Sequence, residues 1–408
     1  MVGGVRVLMV SQFYPPIVGG IEQHVRNLSL ALEGRGHSVE VVTIATDGPE
    51  RTTLDGTLPI HSVRTTAQRL PLLYTDSVRP HAMPIVDPGF RRAIARLLGD
   101  GKFDIVHAHD WSVASVIGPA RHTGVPVVLT QHEYSHVCAT KRLMRGGHDV
   151  CPGPTPVACL RCASSWYGPV VGPGVVVANA LAHRTRRRRV DAFIPVSSVV
   201  AIETGLPGRS PHKIITNFIP DEIVENKPVP TPDGPIVFVG LLSRDKGVEV
   251  LLEAHRLLGG VRRLVLAGRV LDDQILDLSD EVELRGSLDH PSVMDLMRTA
   301  SVVVVPSTFR DPCPTVVLEA MAVGRPVVAA ASGGIIDMVE DGVTGLLVPP
   351  GDPVALARAL STVLEDPERA TAMGHAGNTR VQWFAASAVM ARIEEVYADL
   401  IAGRPLPA

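Results

Sequence analysis

The chain has 408 residues, enough for two domains or three, and its 45% apolar against 20% charged residues exclude wholesale disorder. Aromatic residues are only 4% while Gly (37) and Pro (34) are frequent, which suits a sheet with helices on both faces better than a β-sandwich. A net charge of −3, from 39 basic and 42 acidic groups, gives no electrostatic case for a nucleic-acid partner.

The opening Met-Val-Gly-Gly-Val-Arg lacks the layout of a signal peptide and runs directly into a buried-strand pattern, Val5 to Val10. A Pro/Gly loop follows over 11–20. Next comes a helix with Ile21, Val25, Leu28 and Leu32 on one face, ended by Gly34 or Gly36, and then a strand over 39–45. This βαβ unit forces a parallel pair with a right-handed crossover. Further strands are expected at 105–108, at 125–129 and near 192–195. The longest apolar tract, 168–182, is too short to span a bilayer and contains Pro169 and Pro173. A cytoplasmic, reducing setting is therefore expected, in which five cysteines do not form a disulfide framework.

A Pro-rich break at 220–235 reads as a linker, with domains of 1–225 and 226–384 on either side. Beyond it the alternation restarts. A strand is expected at 236–239 and a helix through Val248, Leu251, Leu252 and Leu258. Strands at 264–267 and 302–305, a helix over 315–323 and a strand at 326–330 follow. A last helix over 385–402 is expected to cross back to the first domain. The reading is α/β, with two doubly wound Rossmann-like domains facing a cleft and ligands at the carboxyl ends of the strands.

Asp311 precedes the helix that begins at Thr315, and Glu319 lies within it. Residues Thr315 to Val317 offer free N–H groups at a helix start, which favours an anion such as a phosphate. A carboxylate one and a half turns in can accept hydrogen bonds from ribose hydroxyls. The alternative on spacing alone is that Asp311 caps the helix and Glu319 faces solvent. Lys246 is one of five lysines (102, 141, 213, 227 and 246), so any chemistry that needs a lysine has few candidates.

The segment Phe309-Arg310-Asp311-Pro312-Cys313-Pro314-Thr315-Val316-Val317-Leu318-Glu319, with Gly333-Gly334 and Asp341-Gly342-Val343-Thr344-Gly345 after it, resembles the signature region of family 4 retaining glycosyltransferases. Tyr14-Pro15-Pro16-Ile17-Val18-Gly19-Gly20-Ile21-Glu22, Asp104-Ile105-Val106-His107-Ala108-His109 and Asn217-Phe218-Ile219-Pro220-Asp221 resemble further family motifs in the family's order. The resemblance implies a GT-B fold and a nucleotide-diphosphate sugar donor. The acceptor it implies is a hydroxyl of a lipid-linked, saccharide or small-molecule compound. Glu319 matches the acid that holds the donor ribose. Asp311 matches the acid that contacts the transferred sugar, one methylene shorter than the family's Glu. Lys246 matches the lysine that neutralises the diphosphate. Pro314, Thr315 and Val316 match the helix start at the donor, and Gly19 and Gly20 the first phosphate-side loop. His109 matches an active-site histidine touching the sugar, with His132 its companion. The family's Arg after the strand-end glycine is Leu241 here, and Arg244 is the expected substitute. The implied mechanism is front-face transfer, in which a leaving phosphate oxygen takes the acceptor's proton. No acidic metal-binding triplet is present, so no catalytic metal is expected.

Cys138, Cys151, Cys159 and Cys162 fall within twenty-five residues and include a C-x2-C pair, in a stretch rich in Gly146, Gly147, Pro152, Gly153 and Pro154. Four thiols at this spacing suit a structural zinc, with unligated thiols or an iron–sulfur cluster as alternatives. Arg184 to Arg189 hold five arginines in six positions. They read either as a solvated helix face or as a peripheral contact with the inner face of a membrane. Other functions open to such a fold are a non-catalytic nucleotide-sugar binder, a nucleotide-sugar epimerase and a pyridoxal-phosphate phosphorylase.

Overall fold

The computed structural model describes the chain except residues 1–3, 18, 47, 67, 69–81, 147–148, 225–230 and 272–277. Val18, Gly147, Lys227 and the middle of the Pro-rich break, all singled out above, lie outside the described residues.

The first compact unit comprises residues 1–146, 151–215 and 390–408. Its main elements are β1 (Arg6–Val10), α1 (Gly20–Gly34), β2 (Ser38–Ile44), β3 (Arg51–Asp55), β4 (Leu58–Val63), α2 (Pro88–Gly99), β5 (Ile105–Ala108), α3 (Val113–Thr123) and β6 (Val127–Gln131). The short strand β7 (Met144–Arg145) precedes α4 (Pro156–Arg189), β9 (Ala192–Pro195) and α5 (Ser198–Glu203), while β8 (Asp149–Val150), between β7 and α4 in the chain, falls outside this unit. The seven-stranded sheet runs β3-β4-β2-β1-β5-β6-β9, and only β3 is antiparallel to its neighbour. Both faces of a parallel sheet are covered, so β5 and β9 are buried at every position rather than at alternate ones. The core joins Leu8, Val42, Phe90, Ile94, Val106 and Phe193.

The sixth strand starts two residues later than the apolar run suggests, because Pro126 has no N–H to give the ladder; its carbonyl accepts from Val106 instead. The β3–β4 hairpin was not expected. Four of the five β3 residues are exposed, so it carries no apolar pattern to read. The tract 168–182 is the second half of α4, which breaks at Gly168 and folds back so that Gly172 lies against the backbone of Ala163.

The second unit is built mainly from Thr216–Val389. It holds β10 (Ile236–Val239), α6 (Val248–Leu257), β11 (Leu264–Ala267), β12 (Val282–Gly286), α7 (His290–Thr299), β13 (Val302–Val305) and α8 (Thr315–Ala322). These are followed by β14 (Val327–Ala330), α9 (Ile335–Met338), β15 (Gly345–Val348), α10 (Pro353–Glu365), α11 (Pro367–Arg380) and the start of α12 (Ala386–Ile401). Its sheet is wholly parallel, in the order β12-β11-β10-β13-β14-β15.

Numbered within itself, each unit therefore shows the order 3-2-1-4-5-6, the first with β3 added at one edge. Crossovers leave β1 and β5 to opposite sides, and likewise β10 and β13. Each pair opens a crevice at the carboxyl ends of its strands, where such folds bind ligands.

The chain passes from one unit to the other at Ile215/Thr216, ahead of the 225/226 boundary that composition suggests. Side-chain bonds draw the segment forward. The backbone N–H of Asn217 donates to Cys313 Sγ (3.4 Å) and its amide to the Cys313 carbonyl (3.0 Å). Ile219 pairs with Ala385, and the Asp221 carboxylate accepts from the Ser387 N–H and hydroxyl. The chain rejoins the first unit at Met390, within α12. There Tyr397 is fully buried with its hydroxyl on His107, and Glu394 pairs with Arg35 and His37.

Candidate functional site

In the first unit, the loop after β1 and the residues after β5 are tied together by one carboxylate. Asp110 accepts from the Gln12 N–H (2.6 Å) and the Ser112 N–H (2.7 Å), with the Ser11 hydroxyl at 3.5 Å. The first loop ends at Gly19, the extended N-cap of α1, which supplies no side-chain cap. At Gly20 a Cβ would meet nothing within 4 Å, whereas at Gly19 it would come within 2.1 Å of Glu22 Oε2, so a carboxylate of the first turn already sits at this helix start. Of the glycine pair, Gly19 makes way for that carboxylate and only Gly20 faces open space.

His109 directly follows β5 and its N–H donates to the Val10 carbonyl. It is buried, with Nδ1 3.0 Å from His132 Nε2 and Nε2 2.9 Å from Met9 Sδ. His107 stacks on it at 4.4 Å and is held by Tyr397 and Thr130 Oγ1. His24, from α1, stands edge-on to His132 at 4.7 Å. Burial lowers His24 to about 4 and His107 to about 3, and holds His109 well below the ordinary histidine value. These three rings are neutral near pH 7 and act as hydrogen-bonding groups rather than cations. His24 was missed in the sequence because it sits on a helix that carries no other chemical signal. Ligand nitrogens of His24, His109 and His132 all lie within 4.8 Å of one another, close enough to close on a metal ion.

In the second unit, Lys246 lies in the single turn Arg244–Lys246 after β10, and Asp311 follows β13. Lys246 Nζ donates to Asp311 Oδ2 at 2.6 Å and lies 4.9 Å over the Phe309 ring. Two glycines make the approach possible. Gly247 has φ +78°, and a Cβ there would come within 2.0 Å of the Pro306 carbonyl oxygen. Gly333 has φ +57° and packs on the Asp311 backbone just as closely, while the Gly334 N–H donates to the Asp311 carbonyl.

Asp311 does not cap α8. The N-cap is Pro314, with no side-chain bond, so the helix starts open at exposed Thr315 and half-buried Val316. Nor does Glu319 face solvent. Its side chain is 14% exposed and Oε1 meets His290 Nε2 at 3.2 Å. That bond raises His290 above its ordinary value. Arg244 turns instead to Glu249 at 3.3 Å, with both side chains about half exposed, and Leu241 is exposed where an arginine was expected. An exposed pair of this kind contributes little to stability.

The four clustered cysteines, all half-buried and none in a disulfide, line one small cavity with Leu143 and Met144. Cys138 Sγ is 3.4 Å from Thr140 Oγ1 and Cys162 Sγ 3.5 Å from the Met144 carbonyl. Burial raises the Cys159 thiol, and the other three cysteines raise it further. Of the run Arg184 to Arg189, Arg186 is buried, so the run is not uniformly a solvated face.

Residues 18–219 match the sequence family described as Glycosyltransferase Family 4, and residues 221–380 match Glycosyl transferases group 1. Glycogen synthase of Mycobacterium tuberculosis is 29% identical over 406 residues, covering 92% of this chain and 90% of its own. Phosphatidyl-myo-inositol mannosyltransferase of Mycobacterium leprae is 26% identical over 410 residues, covering 96% and 97%. Among solved structures, sucrose-phosphate synthase of Thermosynechococcus elongatus superposes with a TM-score of 0.71 at 22% identity, covering 98% of this chain and 100% of its own. The Anabaena protein HepE in complex with UDP-glucose gives 0.67 at 19% identity, covering 97% and 99%. These likenesses are to proteins of the GT-B fold, which the two doubly wound units share.

Proposed function

The chain belongs to the family 4 glycosyltransferases, and on that premise we propose that it moves a hexose from a nucleotide-diphosphate sugar to a hydroxyl acceptor with retention at the anomeric carbon. The observation that carries the reading is the Lys246–Asp311 pair at the crevice of the second unit, with an open helix start in the same loop and Glu319 one turn further on. An ammonium and a helix N-terminus provide fixed positive charge where a diphosphate gathers negative charge as it leaves. No protein base is needed when a leaving oxygen takes the acceptor proton. What the site supplies is positioning and charge stabilisation. In this reading Asp311 holds a hydroxyl of the sugar and Glu319 holds the ribose. The setting is the cytoplasm, with peripheral contact at the inner membrane face.

Nucleotide sugars raise the unfolding temperature selectively, because a ligand of the folded state stabilises by about 2.7 kcal/mol at a hundred times its Kd. The donor so identified is hydrolysed slowly without acceptor, and NMR of the early product shows the donor's anomeric configuration. An inverted product removes the retaining mechanism. A second reading, a non-catalytic binder, draws on Leu241 and on the engagement of Arg244 with Glu249. Donor binding without any turnover would establish it.

The same reading gives the four cysteines a structural zinc and the reaction no catalytic metal. Metal analysis of the purified protein is expected to find one zinc per chain, lost in Cys159→Ser/Cys162→Ser. Chelation of the intact protein then leaves turnover in place. Zinc that survives the double substitution and disappears in His132→Ala would move the site to the three histidines. Turnover abolished by chelator and restored by magnesium or manganese would end the metal-free mechanism.

A further inference from the structure

Arg186 is 1% exposed, yet among the described residues its hydrogen-bond partners are all uncharged. Its Nε donates to His136 Nδ1 (3.3 Å), and Nη2 donates to the His136 carbonyl (3.1 Å) and to Asn179 Oδ1 (2.7 Å). Every one of these acceptors is neutral, and among the described residues no carboxylate pairs with it. Nη1 has no partner at all. Because Nδ1 of His136 accepts, the proton of that ring is on Nε2, which is also buried and without a partner. Desolvation lowers the guanidinium to about 10, which leaves it charged at neutral pH. A lone buried cation with two unused donors is costly unless something anionic completes it.

Beside this group lies a cavity of about 590 Å³, within the usual range for ligand pockets. His136, His183 and Asn179 form its polar part, and its walls include Val137, Leu160, Val176, Ala180 and Leu181. At its rim Val177 and Leu181 are 57% and 59% exposed, next to exposed Arg184. His136 follows His132 by four residues, so the cavity adjoins the loop that carries the candidate site of this unit.

We infer that this cavity binds an anion carrying an apolar chain, with the charged head against His136 and Asn179, the two lining residues that bond the Arg186 guanidinium, and the chain along the α4 wall. A free phosphate would leave the apolar wall without a partner. A neutral hydrocarbon would leave the polar lining without a partner and the guanidinium behind it uncompensated. A lipid phosphate satisfies both parts of the cavity, whether it comes as a dispersed amphiphile or as a bilayer headgroup. The binding step does not depend on the transfer reaction.

The test uses the full chain and dodecyl phosphate below its micelle concentration, followed by calorimetry, with inorganic phosphate and dodecyl maltoside as controls. Saturable binding of dodecyl phosphate is expected, at least tenfold tighter than either control. Arg186→Met and, at the exposed rim, Leu181→Glu each weaken it about tenfold or more. The rim variant keeps the test open if the buried one fails to fold. Co-sedimentation with phosphatidylcholine vesicles containing phosphatidylglycerol, displaced by dodecyl phosphate, would make a bilayer headgroup the source. Dodecyl phosphate binding without vesicle binding would make it a dispersed amphiphile. Equal binding of inorganic phosphate or maltoside, no binding, vesicle binding that dodecyl phosphate leaves unchanged, or binding untouched by Leu181→Glu each overturns the assignment.

Discussion

Lys246→Ala lowers turnover of the nucleotide sugar by about a hundred- to a thousandfold, the usual cost of removing one preorganised group that stabilises developing negative charge. Lys246 reaches its place only because Gly247 allows the loop after β10 to turn against Pro306, and it ends 2.6 Å from Asp311. The substitution also has a structural cost. The Asp311 side chain is 7% exposed, and without its ammonium partner it keeps, among the described residues, the Ser307 hydroxyl at 3.5 Å. A buried acceptor left short of donors costs on the order of 1–3 kcal/mol, so the single variant also melts earlier. Lys246→Ala/Asp311→Ala separates the two effects, because the pair is removed together. It is expected to regain most of the lost stability and none of the turnover. A folded Lys246→Ala protein with turnover within threefold of the parent would remove the lysine from the chemistry and with it the proposed use of the pair.

Acidification from pH 7.5 to 5.5 unfolds the first unit at clearly lower denaturant than it withstands at neutral pH. The sign follows from the buried histidines. In the unfolded chain a histidine ionises near 6.5, whereas folded His24 does so near 4 and His107 near 3, with His109 also well depressed. Between these values the unfolded chain binds protons that the folded one refuses. The stability is therefore whole above about pH 6.5 and is lost as pH falls. Each such histidine contributes a slope of up to about 1.4 kcal/mol per pH unit. His290 acts in the opposite sense, since Glu319 raises it, but it is half exposed and belongs to the second unit. Burial also raises Glu133, which offsets part of the slope once that group begins to titrate. His107→Gln keeps hydrogen-bonding atoms near Tyr397 and Thr130 and flattens the pH dependence of the unfolding midpoint. A midpoint equal at both pH values would refute the account of neutral, desolvated rings.

The motif residues of the second unit were legible because their geometry is local. A strand, a turn and a helix within the stretch from Val302 to Glu319 place Asp311 before α8 and Glu319 inside it, whatever the rest of the chain does. Lys246 was legible through scarcity and spacing. Arg244 was not, since nothing in Ser-Arg-Asp-Lys-Gly tells whether a guanidinium turns toward a phosphate or toward Glu249. Strand β4 was missed although it buries Leu58, Ile60 and Val63, whereas β3 and β12 were unreadable. Their residues are largely exposed or half-buried, and a strand without a buried face carries no hydrophobic period.

By itself the sequence determined the alternation of strand and helix, the restart of that alternation after the linker, and the order of the motifs, all set by spacing along the chain. The tertiary structure alone decided which distant residues meet and which charges lose their water. Lys246 and Asp311, 65 positions apart, touch because β10 and β13 are neighbours in the sheet. His24 joins His109 and His132 because α1 packs over the strand ends that carry them. Arg186 is dry while its neighbours Arg184 and Arg188 are wet, because the folded-back α4 turns that one position inward. Sheet order and desolvation arise from the assembled chain, and a linear string of residue types records neither.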